Sequence, residues 1–346
     1  MQEPRRTAPP GRPLHPESAA PPVPLIDGEV PGDPDSAGQE DQPSQEWTRR
    51  RVLTFGLGTV AAIAAVGATG LELVSHGILP GKQVLDRLDG ACSVPRAPFR
   101  FSAPGPSISS RFFSQARGRT VGYTVAYPPG HQPGSPLPLV VVLHGFGANH
   151  TNALAGMSLA QALALHVGGR PLAPLAMVAV DGGGGYWNPH PGDNPMAMMI
   201  DEVISMCQKM GLGRLPQKIG TMGISMGGYG ALLLAEKHPP LFAAVAAISP
   251  AVWTSYAQAR GANAGAYASA DDFAANDVVT HAPALAGVPV RVASGDDDPF
   301  HPGVKALARA LPADAVVDFS KGCHDGSFFT TQEPPSLSFL ARHLSP

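Results

Sequence analysis

From about residue 120 to the C-terminus, apolar runs of five to eight residues alternate with stretches whose apolar positions recur at helical spacing. Short continuous apolar runs suit strands buried on both faces, and their alternation with helices predicts an α/β domain built on a mostly parallel sheet. The predicted strands are Val121–Tyr127, Leu137–Leu143, Leu175–Val180, Lys218–Ile224, Phe242–Ile248, Val288–Ala293 and Ala315–Phe319. The predicted helices are Asn152–His166, Met196–Met210, Met226–His238, Val304–Leu311 and Ser336–His343. Residues 252–285 show no clean strand and are expected to form a lid-like insertion within a domain spanning residues 116–346.

The N-terminal third follows other rules. Residues 1–47 are rich in Pro, Asp and Glu without an apolar period, so they cannot bury enough surface to offset ordering entropy and are read as a disordered tail. Residues 48–75 open with Thr48-Arg49-Arg50-Arg51-Val52-Leu53, followed by 20 uncharged residues from Val52 to Leu71. At 1.5 Å per residue that length spans a hydrocarbon layer about 30 Å thick. The paired arginines before a modestly apolar Ala/Gly stretch resemble a twin-arginine export signal. The segment is therefore expected to be an export signal or, if uncleaved, a membrane anchor through residues 52–71. The arginines would keep the tail in the cytoplasm and place the remainder outside. Residues 76–115 are expected to be linker.

The chain has 346 residues, 44% hydrophobic and 15% charged, with a net charge of -3. It lacks the basic excess that a phosphate backbone demands, so no nucleic-acid partner is expected. Cys92, Cys207 and Cys323 are too few for a disulfide framework or a cysteine-based zinc site; one pair can bridge, leaving at least one free thiol.

Gly223-Ile224-Ser225-Met226-Gly227 fits Gly-x-Ser-x-Gly, a weak signal in a glycine-rich chain until its context is read. It directly follows a predicted strand and directly precedes a predicted helix. A nucleophile on such a tight turn needs small neighbours, and the helix N-terminus behind it favours developing negative charge. A serine hydroxyl also needs a base and an orienting carboxylate, here expected downstream in the order Ser, Asp, His. The loops after the last two predicted strands supply Asp296-Asp297-Asp298 and Cys323-His324. Loops at the C-terminal ends of parallel strands share one sheet edge, which would bring them to Ser225. His324 is the candidate base, and His301 is its rival only if the last strand is misread. Asp298, at Gly-x-x-Asp, is the first candidate for the carboxylate, with Asp297, Asp296 and Asp318 as alternatives. Backbone N–H groups of Phe146, in His144-Gly145-Phe146-Gly147, and of Met226 are the candidate oxyanion donors.

Together with Asp181-Gly182-Gly183-Gly184-Gly185-Tyr186-Trp187, these motifs resemble, over about residues 120–343, an α/β-hydrolase family of esterases. That family includes esterase D (S-formylglutathione hydrolase), feruloyl-type esterases and secreted mycolyltransferases. The resemblance implies an α/β-hydrolase fold, a serine esterase with Ser225, Asp298 and His324 as its triad, and Phe146 and Met226 as oxyanion donors. It implies neither cofactor nor metal. The expected partner is a small-molecule, lipid or carbohydrate ester. Acyl transfer to a carbohydrate, a serine peptidase and a silent tethered binding protein are the alternatives.

Gly182–Gly185 leads into Tyr186-Trp187-Asn188-Pro189 and not a helix, so it does not suit a dinucleotide; no Gly-Lys-Ser/Thr loop or His-Glu-x-x-His is present. Phe146, Tyr186, Trp187, Trp253, Tyr256, Tyr267 and Phe273 lie on predicted loops or the lid. They would either wall an acyl pocket or fill the lid's own core.

Overall fold

The computed structural model describes residue 90 and residues 92–94, 99–214 and 216–345. The Pro-rich tail and the apolar segment 52–71, with the expectations attached to them, lie outside the described residues. Among the described residues, no helix is long and apolar enough to cross a membrane.

Eight strands form one sheet in the order β1-β2-β6-β3-β7-β8-β9-β10. They are β1 (Ser107–Ser114), β2 (Arg119–Ala126), β3 (Leu139–Leu143), β6 (Ala176–Val180), β7 (Ile219–Ile224), β8 (Phe242–Ile248), β9 (Val290–Gly295) and β10 (Val316–Ser320). A small hairpin of β4 (His166–Val167) and β5 (Arg170–Pro171) stands apart. From β6 to β10 every pairing is parallel, while β1–β2 and β2–β6 are antiparallel. Each of the seven predicted strands has a counterpart.

The fully buried run Leu139-Val140-Val141-Val142-Leu143 shows why the pattern is continuous. Leu139, Val141 and Leu143 enter one core, and Val140 and Val142 enter the other. Each such side chain contributes about 1.5–3 kcal/mol on burial, so a polar residue in β3 damages one core or the other. Helix α3 (Met226–Lys237) packs Leu232 and Leu233 into the first core. Helices α1 (Leu159–Leu163) and α8 (Gly326–Leu344) cover the second through Leu163, Leu337 and Leu340. Further helices of four residues or more include α2 (Ile204–Lys209), α4 (Tyr256–Ala262), α5 (Ala270–Ala275), α6 (Val278–His281) and α7 (His301–Ala310).

Four expectations need correction. Residues 107–114, assigned to linker, form β1, which pairs along its whole length with β2. Its residues are mostly exposed, so it carries little apolar signal. The helix expected over 152–166 shrinks to α1. Ser158 and Gln161 form a reciprocal capping box that starts it there, while Glu333 takes the N–H groups of Ala155 and Gly156 and holds them outside any helix. The helix expected over 196–210 includes a π-helical turn, Met198–Val203, before α2. Helix α8 begins ten residues earlier than expected and runs through Pro334-Pro335. Asp325 caps its start, accepting from Ser327 and Phe328 N–H, and Phe328, Gln332 and Glu333 are all buried ahead of or beside the prolines. Capping and burial outweigh the proline penalty that suggested a later start.

Candidate active site

Ser225 occupies the turn between β7 and α3 with φ 58 and ψ -122, a conformation that costs a non-glycine residue about 1–3 kcal/mol. The turn is fixed by three hydrogen bonds: Ser225 N–H donates to Ile248 O at 2.9 Å, and Ser225 O accepts from Tyr229 and Ala251 N–H at 3.0 Å. Its small neighbours are obligatory. A Cβ on Gly223 would lie 2.2 Å from the Gly227 carbonyl group, and one on Gly227 would lie 1.9 Å from Leu143 O.

The loop after β10 brings His324 over this turn, with Nε2 2.8 Å from Ser225 Oγ. Its Nδ1–H donates to Asp298 Oδ2 at 2.8 Å. Asp298 is the buried member of the aspartate run, and its second oxygen accepts from Phe300 N–H at 2.8 Å. Asp296 is exposed, and Asp318 pairs instead with the buried Arg291 at 3.0 Å. His301 opens α7 and faces Ser294 Oγ at 3.2 Å, away from the Ser225 hydrogen bond. The structure therefore assembles Ser225, His324 and Asp298 from three loops at one sheet edge.

The loop after β3 reaches the same turn. A Cβ on Gly145 would stand 3.3 Å from Ile224 O and 3.7 Å from the Ser225 Cβ. The Phe146 N–H has no protein acceptor among the described residues. Met226 is the first residue of α3, where backbone N–H groups lack intrahelical acceptors. Neither backbone N–H has a protein acceptor among the described residues.

Two supports escaped the sequence reading. His144 donates from Nδ1 to Gly145 O at 2.8 Å and accepts the Gly182 N–H at Nε2, also at 2.8 Å. Burial pushes its pKa down, opposed by the Gly145 carbonyl, so this imidazole is a neutral brace between the loops after β3 and β6. Arg117, 4% exposed, donates to Asp193 Oδ1 and Oδ2 at 2.6 and 2.9 Å and to Asp181 O at 2.5 Å. Burial raises the Asp193 pKa, but the Arg117 hydrogen bond and charge, aided by Arg119, overcome this and leave it lowered. The signal for His144 stood in the sequence as the residue before Gly-Phe-Gly; nothing near Arg117 in the chain pointed to Asp193.

The aromatic residues divide between the two expected roles. Tyr186 and Trp187 are buried, and Trp187 packs on His144 with ring centroids 5.2 Å apart. Tyr267 joins Tyr186, Tyr229 and Phe273 at 5.1 to 6.3 Å, and Tyr256 packs on Phe273 at 6.4 Å. These side chains fill the core beneath the insertion. Trp253 and Phe300 instead border a cavity of about 340 Å³, with Thr254, Gln258, Pro302 and Gly303. No charged side chain lines it. Phe146 is the most exposed large apolar side chain described, at 66%.

A serine on a strained strand-to-helix turn, facing a His-Asp pair at the C-terminal edge of a mostly parallel sheet, is the architecture of an α/β hydrolase. The sequence profile of the Putative esterase family matches residues 114–315; the chain belongs to that family and is an ester hydrolase. No curated protein sequence matches the chain. Among solved structures, a ferulic acid esterase is similar at 18% identity and TM-score 0.55, over 71% of this chain and 100% of its own. An S-formylglutathione hydrolase from Agrobacterium tumefaciens is similar at 17% identity and TM-score 0.55, over 72% and 99%. Mycobacterium tuberculosis MPT51 (FbpC1) follows at 17% identity and TM-score 0.53, over 72% and 100%. At these identities the likeness is one of fold.

Proposed function

We propose that this ester hydrolase works through a Ser225 acyl-enzyme, outside the cytoplasm, on carboxylic esters with an apolar acyl or alcohol group. The observation that carries the mechanism is the continuous relay from Ser225 Oγ to His324 Nε2 and from His324 Nδ1 to Asp298, each step 2.8 Å. His324 takes the serine proton as Oγ attacks the ester carbonyl. Asp298 holds the required tautomer and stabilises the imidazolium. The N–H groups of Phe146 and Met226 receive the oxyanion, helped by the positive end of α3. His324 then protonates the leaving alcohol, and water attacks the acyl-enzyme with His324 again as base.

Two features support the remaining parts. The Cys92–Cys323 disulfide suits an oxidising compartment, in line with the arginine-led apolar segment. The uncharged Trp253–Phe300 cavity offers apolar walls and no clamp for phosphate or carboxylate. Phe300, one of its walls, meets the His324 ring at 5.0 Å, which also favours a second reading, in which the acyl group passes to a carbohydrate hydroxyl seated there.

The test is turnover of p-nitrophenyl esters of graded chain length, with and without a carbohydrate acceptor. Ser225→Ala should lower kcat roughly 10³-fold or more. Near-normal turnover by that variant removes the mechanism, and an acylated carbohydrate product in place of free acid selects the transfer reading.

A further inference from the structure

Cys323 immediately precedes His324, and it is bridged to Cys92 across 231 positions of sequence. Both cysteines are buried, at 7% and 8% exposure. We propose that this bridge is a positioning device for the base: Cys92, acting through Cys323, holds the turn that presents His324 to Ser225 and Asp298. The proposal rests on the triad reading above.

The need for such a device follows from where His324 sits. It is delivered by β10, which among the described residues is an edge strand paired only with β9 and leaves Val316 and Phe319 exposed. Edge strands with little burial open locally at low free-energy cost. The turn itself contains Gly322 at φ 151, where the missing Cβ gives little intrinsic stiffness; a Cβ there would meet the Phe328 ring at 2.5 Å. On the downstream side Asp325 caps α8 and its N–H donates to Cys323 O at 3.0 Å. On the upstream side backbone bonds tie the chain to the aspartate loop, Asp296 N–H to Ser320 O at 2.9 Å and Asp297 N–H to Gly322 O at 3.0 Å. To these hydrogen bonds the bridge adds a covalent restraint at the residue next to the imidazole. A hydrogen-bond relay of two 2.8 Å steps tolerates little displacement of that residue.

Disulfides also stabilise the whole chain by restricting the unfolded state, so the experiment has to separate positioning from global stability. It compares the full chain with its Cys92→Ala variant in three measurements: kcat and KM on a p-nitrophenyl ester, the pH profile of kcat/KM, and the rate at which a fluorophosphonate captures Ser225. The folded fraction is followed by near-ultraviolet circular dichroism. The expected result is a folded variant whose kcat and capture rate fall tenfold or more, with KM changed less than twofold and the acid limb of the pH profile, where the base must lose its proton, displaced.

Dithiothreitol supplies the second route. Two electrons and two protons pass to the bridge, giving thiols at Cys92 and Cys323 while the reagent closes to its cyclic disulfide. Wild-type activity should fall to the level of Cys92→Ala and return when glutathione disulfide reoxidises the pair, whereas Cys92→Ala should not respond. If Cys92→Ala does not fold, reduction of the folded wild type decides alone. Wild-type kcat and capture rate in the bridge-free protein overturn the proposal, and so does a loss that only tracks the folded fraction. Failure of the triad reading is recognised separately, as full activity of oxidised Ser225→Ala.

Discussion

Trp253 packs edge-on against Phe300 with ring centroids 4.7 Å apart, and Phe300 also meets the His324 ring at 5.0 Å. Phe300 thereby joins the insertion to the loop that carries His324. If the adjoining cavity takes an apolar group, kcat/KM should rise from acetyl to longer esters, because each fully buried CH₂ contributes up to ~0.8 kcal/mol. Trp253→Ala should flatten that series. A preference for acetyl, unchanged in Trp253→Ala, assigns the indole to packing.

The aspartate run provides a graded test. Asp298→Asn should leave the fold intact and lower kcat by roughly 10⁴-fold, because the amide favours the wrong imidazole tautomer. Asp296→Asn, at an exposed position, should cost little. Measuring both variants under identical conditions settles the assignment, and a reversed ranking would move the role to Asp296.

Export is testable at the paired arginines. Replacing Arg49 and Arg50 by Lys should trap the chain in the cytoplasm if its route reads the guanidinium pair. Fractionation that finds the Lys variant outside in normal amounts would point to the general secretory route.

Glu333 links acid-base chemistry to stability. Burial pushes its pKa from 4.5 up to about 7, opposed by the N–H groups of Ala155 and Gly156. A raised carboxyl pKa means that the unfolded chain ionises first. Its contribution is therefore complete below pH 4.5 and is lost as pH rises to about 7, amounting to about 3 kcal/mol. Glu333→Gln keeps an acceptor for both N–H groups and removes the titration. Urea unfolding at pH 5 and pH 7 should show a smaller stability drop in the variant; equal drops would exclude Glu333 as the source.

Much of this molecule was legible because its strands are buried on both faces and announce themselves as apolar runs. The sheet edge was not, since β1 buries little and resembles a linker. Ser225 and His324 could be found from local motifs placed against predicted elements. Asp298 could be put first at Gly-x-x-Asp but not separated from its neighbours; its burial and its bonds to the Phe300 N–H and the His324 Nδ1–H distinguish it. The pairings Arg117–Asp193 and Cys92–Cys323 span 76 and 231 positions and leave no local pattern. The role of the lid aromatics was undecidable without packing, because a tyrosine filling a core and one lining a pocket have the same letter.

The left-handed backbone at Ser225 sets a conflict between durability and activity. Glycine would occupy φ 58 without penalty, so Ser225→Gly should melt at a higher temperature than Ser225→Ala, even though both lack the hydroxyl. A laboratory selection that rewards heat resistance alone would be drawn towards discarding the Ser225 hydroxyl. Any programme to harden this enzyme must therefore screen for turnover at every round.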